Sequence, residues 1–383
     1  MNLFAFEDSE LTGWTTGRDL PFFVYREDRV RATYQALRRA MPERVRIAYA
    51  VKANPFEPLL ACLADAGAHF DCASSGELER IQAYARDRMC FFTGPGKSAR
   101  EIQLALNMGV RIHAESWEDL VLINAATDVP VEVGIRIHPD HPIAENKRLI
   151  GGAGPSAFGI DECDVPELLE RAKQLSRVVI NGIHVFSATN QCDAGILIQH
   201  HARVFELAHS LVQRFGLNLD WLDVGGGLGV PYHLEQNELA IDQLGQGLNH
   251  ILEKHDWFRG QVVLEPGRYL SAACGVYLNP VRRIKQSHGE TIVICGGGIN
   301  HLIRPYLTGQ AFPVRVLGGR GLSQPVTLAG PLCTGLDRLG QVDLQSVSPG
   351  DWLVFGMTGA YGWSEGMTHF LSHPPADQIW VAD

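Results

Sequence analysis

No apolar run among the 383 residues reaches the roughly 18 that a helix needs to cross a bilayer, so no membrane-spanning helix is expected. Dense basic segments are equally scarce. The chain carries 33 Lys and Arg against 43 Asp and Glu, a formal charge of −10. The positive footprint of a nucleic-acid binder is therefore missing, and a small charged metabolite is the more natural partner. The opening Met1-Asn-Leu-Phe-Ala-Phe-Glu-Asp has neither the basic start nor the long apolar stretch of a signal peptide, and the expected location is the cytoplasm. The cysteines at 62, 72, 90, 163, 192, 274, 295 and 333 include no CxxC pair. That spacing excludes a disulfide framework and a zinc motif, and most of these thiols are expected to be small buried apolar groups. The histidines include the pair His200-His201 but no HExxH, so a catalytic metal has little support and none is expected. Solenoid repeats and low-complexity segments are also missing.

What the chain does contain is one repeated sentence between residues 45 and 265: a short β-rich run, a polar turn, then apolar residues at helical spacing. Strands are predicted over 45–51, 68–73, 90–94, 111–115, 131–137, 178–186, 219–224 and 261–265. Eight such units suggest closure into a (β/α)8 barrel. Helix starts fit that parsing. Ser74 with Glu77, Ser98 with Glu101 and Ser116 with Asp119 resemble capping boxes, and Pro166 suits a first helical turn. The connection over 138–160, with Gly151-Gly-Ala-Gly154, is long enough to be a functional or mobile loop. Beyond about residue 275 the rhythm changes to short β-like runs such as Thr291-Ile-Val-Ile294, Pro325-Val-Thr-Leu328 and Asp351-Trp-Leu-Val-Phe355. The expected division is a barrel over 28–275 and a mainly β domain built from 1–27 and 276–383, joined by the early run Pro21-Phe-Phe-Val-Tyr25.

Chemistry collects at the predicted carboxyl ends of the strands, where barrel enzymes build their sites. Lys52 ends the first. A lysine there either snorkels to water as a plain strand-end cation or, desolvated, becomes an amine able to form a Schiff base with an aldehyde. Asp71 and Thr93 end the second and third strands, Arg136 lies near the end of the fifth, and His184 with Ser187 ends the sixth. Gly225, Gly226 and Gly227 follow Trp221-Leu-Asp-Val224. Three glycines let backbone N–H groups approach a phosphate, or they simply make a tight turn. Glu265-Pro-Gly-Arg268 ends the eighth strand, as a functional carboxylate or as an acid paired with Arg268.

The ordered segments Tyr49-Ala-Val-Lys-Ala-Asn54, Gly225-Gly-Gly227, Glu265-Pro-Gly-Arg268, Gly330-Pro-Leu-Cys333 and Gly359-Ala-Tyr361 resemble the motifs of the fold type III pyridoxal-phosphate decarboxylases, the family of the ornithine, arginine and diaminopimelate enzymes. The likeness covers nearly the whole chain. It implies an alanine-racemase-like (β/α)8 barrel with a C-terminal mainly β domain, bound pyridoxal 5′-phosphate, and a homodimer with shared active sites. By the same resemblance Lys52 would hold the cofactor and His184 would stack on its ring. Ser187, the Gly225, Gly226 and Gly227 turn, Gly267, Arg268 and Tyr361 would bind phosphate, and Glu265 would face the pyridine nitrogen. A carboxylate there keeps that nitrogen protonated, which favours loss of CO2. Asp71 would join this network or cap the next helix. Arg136 would hold Glu265 or make a strand-end ion pair. Cys333 would reach the partner subunit's site, or be a buried structural thiol.

The chain departs from the pattern at Thr334, where these relatives carry an acid that recognises a distal amino group, and at Thr308. A neutral threonine cannot make that charge-assisted bond. Thr93-Gly-Pro-Gly-Lys97, His184-Val-Phe-Ser-Ala-Thr-Asn190, Pro331-Leu-Cys-Thr334 and the stretch from Gly359 to Pro374 are similar to the branch acting on conjugated amino acids, including the siderophore-type citryl-diaminopropionate decarboxylases. Arg268 and Arg304, with Thr334 and Tyr361, are the expected substrate contacts, arginine suiting the carboxylates of an acidic conjugate. The alternatives are a free diamino acid (diaminopimelate, ornithine or lysine) with Glu365 or Asp337 replacing the missing acid, carrier-linked glutamate, and a non-catalytic cofactor-carrying regulator.

Overall fold

A computed structural model of the chain describes residues 3–140, 154–186 and 189–382. Two compact units divide it. One comprises Thr33–Val230 and Glu238–Gly267; the other comprises Met1–Ala32, Pro231–Asn237 and Arg268–Asp383. The first strand, β1 (Phe22–Arg26), belongs to the latter.

The larger unit is built on β2 (Val45–Ala50), β3 (His69–Cys72), β4 (Cys90–Phe92), β5 (Arg111–Ala114), β6 (Val131–His138), the short β7 (Ile160–Asp161), β8 (Val178–Val185), β9 (Trp221–Asp223) and β10 (Gln261–Leu264). All pair in parallel in the order β5-β4-β3-β2-β10-β9-β8-β6, and a further β5–β6 pairing closes the barrel, with β7 beside β6. Parallel strands covered on both faces need apolar side chains on both. Ile47, Ala48, Tyr49, Phe70, Phe91, Ile135, Ile183, Leu222 and Val263 are accordingly buried. Every predicted strand is present, with ends shifted by a residue or two. Helices start as read: the Ser74, Ser98 and Ser116 hydroxyls accept the N–H groups of Glu77, Glu101 and Asp119, and Pro166 sits in the first turn of helix Val165–Ala172.

The second unit is a β assembly organised on β11 (Gly275–Ser287). Beside it lie β12 (Glu290–Cys295), β13 (Val314–Val316), β14 (Gln324–Ala329), β15 (Arg338–Leu344), β16 (Trp352–Phe355) and β17 (Asp377–Val381). The sheet runs β13-β16-β11-β12-β14-β15, and β1 pairs antiparallel with β11 and parallel with β17. The early apolar run therefore does join this sheet. Its side chains alternate in the way a strand requires: Phe22 and Val24 enter a core with Phe6, Leu11, Val276, Leu278 and Val354, while the Phe23 ring lies against Tyr25 and Tyr277.

Five cysteines, at 62, 72, 90, 274 and 295, are buried, whereas Cys163 and Cys333 are exposed. No helix among the described residues is long and apolar enough to cross a membrane. The stretch 141–153 of the expected long loop lies outside the described residues.

Buried histidines give the fold a pH dependence. Desolvation, reinforced by nearby arginines, holds His69 and His184 at about 4 and about 3, and burial holds His200 at about 4. Each binds fewer protons folded than unfolded between its folded value and 6.5, so its contribution to stability rises with pH through that window and is lost on acidification. Per group the slope reaches about 1.4 kcal/mol per pH unit. The carboxyls of Asp71 and Asp223, pushed up first by burial and then by Glu265, act in the opposite sense and reduce the total. We predict a melting temperature that falls between pH 7 and pH 5. Replacing His69, whose Nδ1 accepts the Met89 N–H, by Asn should flatten that limb; an equally steep limb in the variant would remove His69 from the account.

Candidate active site at the carboxyl end of the barrel

Neighbouring strands bring the site together pair by pair. Ala50, at the end of β2, lies opposite Asp71 on β3. Lys52, in the single turn Val51–Ala53 that follows β2, reaches across to Asp71 with Nζ 3.3 Å from Oδ2. Its side chain is 41% exposed while that of Asp71 is 1% exposed. The lysine thus combines a buried anion with an open face, which is neither a freely snorkelling cation nor a sealed ion pair. Asp71 does not cap the following helix. That task falls to Ser74, while the Ala73 N–H goes to Glu77, and the second oxygen of Asp71 accepts the Thr93 hydroxyl at 2.9 Å.

Opposite stand His184, at the end of β8, and Glu265, just after β10. His184 Nε2 lies 3.4 Å from Glu265 Oε2, and both side chains are buried. Desolvation and the Arg136 charge hold His184 at about 3, so the imidazole is neutral and the contact is not an ion pair. Both His184 ring nitrogens, Glu265 Oε1 and Asp223 Oδ2 are buried without a hydrogen-bond partner among the described residues. Asp223 and Glu265 can meet each other through a shared proton, whereas a bare buried ring nitrogen costs about 1–3 kcal/mol, so the two His184 nitrogens mark a surface that a polar ligand would complete.

The three glycines close the same end. Gly225 and Gly227 take positive φ, +73° and +83°. The Gly225 N–H donates to Asp223 Oδ1 at 2.8 Å and its carbonyl accepts the Glu265 N–H at 2.9 Å. A Cβ on Gly226 would meet the Glu265 carbonyl oxygen at 2.2 Å. Close backbone approach, beyond turn formation, therefore requires glycine there. Gly267 is similarly confined, with Ala53 Cβ 2.9 Å from where its own would lie.

Arg136 pairs with an acid other than Glu265. Ala114 and Ile135 are register partners on β5 and β6, which sets Arg136 beside Glu115, with Nη1 3.2 Å from Oε1. Glu115 also accepts the Gly94 and Gly159 N–H groups at 2.6 and 2.9 Å. Burial opposes its charge, but Arg136, Lys97 and those two donors together hold its carboxyl below the usual range. Lys97 pairs with Asp119 at 3.0 Å. Arg136 thus anchors a supporting network and is not a direct partner of Glu265.

Sequence reasoning named no site residue on β5 and passed over Asp223. Yet His113 lies in the cluster, its ring centroid 4.7 Å from that of His184. Its only sequence signal is a polar residue at an inward position between Ile112 and Ala114. Donor atoms of His113, His184 and Glu265 lie within 4.8 Å of one another. The His113 nitrogens, however, are occupied by Trp221 and Thr93, so of these three residues His184 and Glu265 are the ones with open donor atoms. Ser187 lies outside the described residues.

In the second unit, Arg268 is 6% exposed. It donates to Tyr232 Oη at 2.6 Å and Gln310 Oε1 at 3.2 Å, and its guanidinium lies 4.9 Å from the Tyr361 ring centroid. Among the described residues no carboxylate pairs with it, leaving a buried cation suited to an anion. Arg304, by contrast, bonds both oxygens of Glu365, at 2.6 and 3.0 Å, beneath the Tyr361 ring. Its charge is already balanced. Asp337 accepts the Ile299 and Leu332 N–H groups at 2.8 and 2.7 Å and holds the turn that carries Cys333 and Thr334. The Cys333 thiol is exposed, not a buried structural group, and the Thr334 hydroxyl accepts the Leu336 N–H.

A family profile described as the pyridoxal-binding domain of pyridoxal-dependent decarboxylases matches residues 27–272. The chain is 31% identical to L-glutamyl-[BtrI acyl-carrier protein] decarboxylase of Niallia circulans, covering 99% of this chain and 92% of the relative. It is 28% identical to 2-[(L-alanin-3-ylcarbamoyl)methyl]-2-hydroxybutanedioate decarboxylase of Staphylococcus aureus, covering 91% and 90%. The crystal structure of Helicobacter pylori diaminopimelate decarboxylase complexed with L-lysine superposes with a TM-score of 0.88 at 27% identity, covering 97% of this chain and 94% of that one.

Gly226→Ala should lower stability by about 1–3 kcal/mol, the usual cost of overpacking, because the methyl can be accommodated only by displacing the backbone at Glu265. Urea denaturation checks it: an unchanged midpoint would mean that the turn has room the close approach denies.

Proposed function

The chain belongs to the pyridoxal-dependent decarboxylase family and is a pyridoxal 5′-phosphate-dependent amino-acid decarboxylase, and we propose that its substrate is a conjugated amino acid lacking a free distal ammonium group. When bound, the cofactor supplies an aldehyde for an amine and a ring that accepts the electron pair left at Cα as the α-carboxylate departs as CO2. Lys52 offers the amine, kept against Asp71 yet open on one side. His184 presents a neutral ring face. Glu265 would hold the proton of the pyridine nitrogen with its unpaired oxygen. The Gly225, Gly226 and Gly227 turn, Gly267, Arg268 and Tyr361 are the phosphate-binding candidates, with Ser187 expected by resemblance. Cys333 would supply, from the partner subunit of a homodimer, the proton that replaces CO2 at Cα.

The observation that carries the substrate reading is the commitment of both candidate acids. Thr334 stands where the resemblance calls for a carboxylate. Its two possible substitutes are taken, Glu365 by Arg304 and Asp337 by backbone N–H groups. Among the described residues neither of these acids is then left to meet a distal ammonium, a penalty that selects against free ornithine, lysine or diaminopimelate. An acyl linkage removes that charge. The names of two relatives describe conjugates without a free distal ammonium: a glutamyl group, which has no distal amine, on a carrier protein in one, and an alanin-3-yl group whose amine is carbamoyl-linked to a hydroxybutanedioate in the other. Arg268, lacking a carboxylate partner among the described residues, favours an acidic conjugate such as citryl-2,3-diaminopropionate; with Arg304 balanced, that preference rests on less charge than the sequence suggests.

Two experiments test these statements. The kcat/KM for a citryl- or acyl-linked diamino acid should exceed that for the same diamino acid free by at least about 100-fold, the discrimination available to a site built against a buried unpaired group. Thr334→Asp should narrow the gap from the side of the free substrate. A parent enzyme that prefers free diamino acids would defeat the assignment. Second, mixing inactive Lys52→Ala with inactive Cys333→Ala protein should restore activity in part, since one site of each mixed dimer regains both residues. No recovery after demonstrated subunit exchange would return Cys333 to its own subunit's chemistry or remove it altogether.

A further inference from the structure

Behind Asp71 lies a chain of hydrogen bonds whose direction is fixed by the groups that make it. Trp221 Nε1 is 3.2 Å from His113 Nε2. The indole only donates, so Nε2 must be the bare, accepting nitrogen. His113 Nδ1 then carries the ring proton, and it lies 3.2 Å from Thr93 Oγ1. A threonine hydroxyl has one proton. Having accepted from His113, it spends its own on Asp71 Oδ1, 2.9 Å away. The other carboxylate oxygen, Oδ2, receives Lys52 Nζ at 3.3 Å. The contacts from Trp221 to Asp71 thus admit one mutually consistent proton arrangement: His113 neutral with its proton on Nδ1, the Thr93 proton on Asp71 Oδ1, and the exchange of a proton between Asp71 and Lys52 confined to Oδ2.

The barrel makes room for this chain at a cost. A Cβ on Gly182 of β8 would lie 1.9 Å from the Trp221 ring, and one on Gly134 of β6 would lie 2.4 Å from the His113 ring. Glycine weakens a strand interior, so two strands are thinned where the indole and the imidazole pass. The Phe91 ring stacks on His113 at 4.9 Å and 18° and fixes its plane.

We propose that Trp221, His113 and Thr93 are positioning residues that hold Asp71 as an oriented carboxylate and, through it, set the charge on the Lys52 amine. This rests on Lys52 being the amine of the proposed chemistry but not on the identity of the substrate. Asp71 needs such support: burial and then Glu265 push its carboxyl up, whereas Lys52 and the Thr93 hydroxyl pull it down. Neutral His113 is consistent with its total burial, which with His184 nearby keeps the imidazole well below 6.5. Without the Thr93 proton, Asp71 takes up a proton from solvent, Lys52 loses its anion, and more of its amine is free at a given pH.

The test reads Lys52 directly in the full-length protein stripped of cofactor. Acylation by acetic anhydride at pH 7.5 is followed by peptide mass spectrometry, with Lys173, 61% exposed, as internal reference. Thr93→Val, nearly isosteric, should accelerate Lys52 acylation roughly ten-fold, as expected when an adjacent opposite charge is neutralised. Thr93→Ser, which keeps the hydroxyl, should react like the parent. Trp221→Phe breaks the chain at its far end without touching Asp71 and should accelerate acylation less, in the same direction. A parent-like rate in Thr93→Val, or equal acceleration in Thr93→Val and Thr93→Ser, would overturn the proposal. Adding pyridoxal 5′-phosphate before the label provides the separating arm. Protection of Lys52 upholds its cofactor role whichever way the rates fall, while lack of protection in the parent would sink that role instead.

Discussion

Desolvation at the carboxyl end of the barrel is the constraint from which the rest of the site follows. Asp71, His113, His184, Asp223 and Glu265 are each no more than 5% exposed, and three of them are carboxyls. Water cannot screen them, so they cannot all be ionised side by side. Burial and Glu265 push Asp71 and Asp223 up, and burial pushes His113 and His184 down. The cation paired with a member of this group is Lys52, and its partner is Asp71. Within this group Asp71 is the carboxyl that a hydrogen-bond donor and an amine both support. Elsewhere, the bare His184 nitrogens wait on a ligand. Those unmatched atoms weaken the fold locally, a loss that the closed apolar barrel around them must offset.

The β unit handles charge in the opposite way. Arg304 is satisfied by Glu365 and Asp337 by two backbone donors, so neither acid is free to greet a cation. On the proposed substrate reading, specificity arises largely by subtraction. A substrate carrying a buried ammonium would find no carboxylate, and one whose ammonium is masked by an acyl group would not need one. On the same reading Arg268 adds a positive preference, and a buried guanidinium among tyrosines is demanding about what it accepts.

Much of this could be read from the sequence, for identifiable reasons. Parallel barrel strands are short apolar runs with polar turns, so their number and positions showed through, and side chains just beyond them fall at one end of any such barrel. Lys52, His184 and Glu265 were legible in this way, as was the glycine turn. Partners were not. Arg136 could be assigned to Glu265 as readily as to any strand-end acid, and only the β5–β6 register sets it beside Glu115. His113 had no motif to announce it, since a single inward histidine looks like any satisfied core residue. Its bond to Trp221 spans 108 residues of chain, a separation that no local pattern encodes.

Glycine carries the remaining information, because what its missing side chain makes room for appears only in three dimensions. Gly226 could be read as turn or cradle, and the carbonyl of Glu265 lying where its Cβ would be gives glycine there a further reason, the close approach of two backbone segments. Gly134 and Gly182 look like weak points in otherwise good strands. They are explained once the Trp221 and His113 rings are seen to occupy the space a Cβ would take. An indole and an imidazole in the middle of a packed barrel would otherwise force neighbouring strands apart, at a cost of the order of 1–3 kcal/mol for each overpacked position. Phe91 lies nearly flat on His113, so the ring that orients Thr93 is held by packing on its face and by hydrogen bonds on its edge. Apolar packing and proton arrangement are thereby one design problem: the strand register that admits Trp221 also determines which nitrogen of His113 is free to donate toward Lys52.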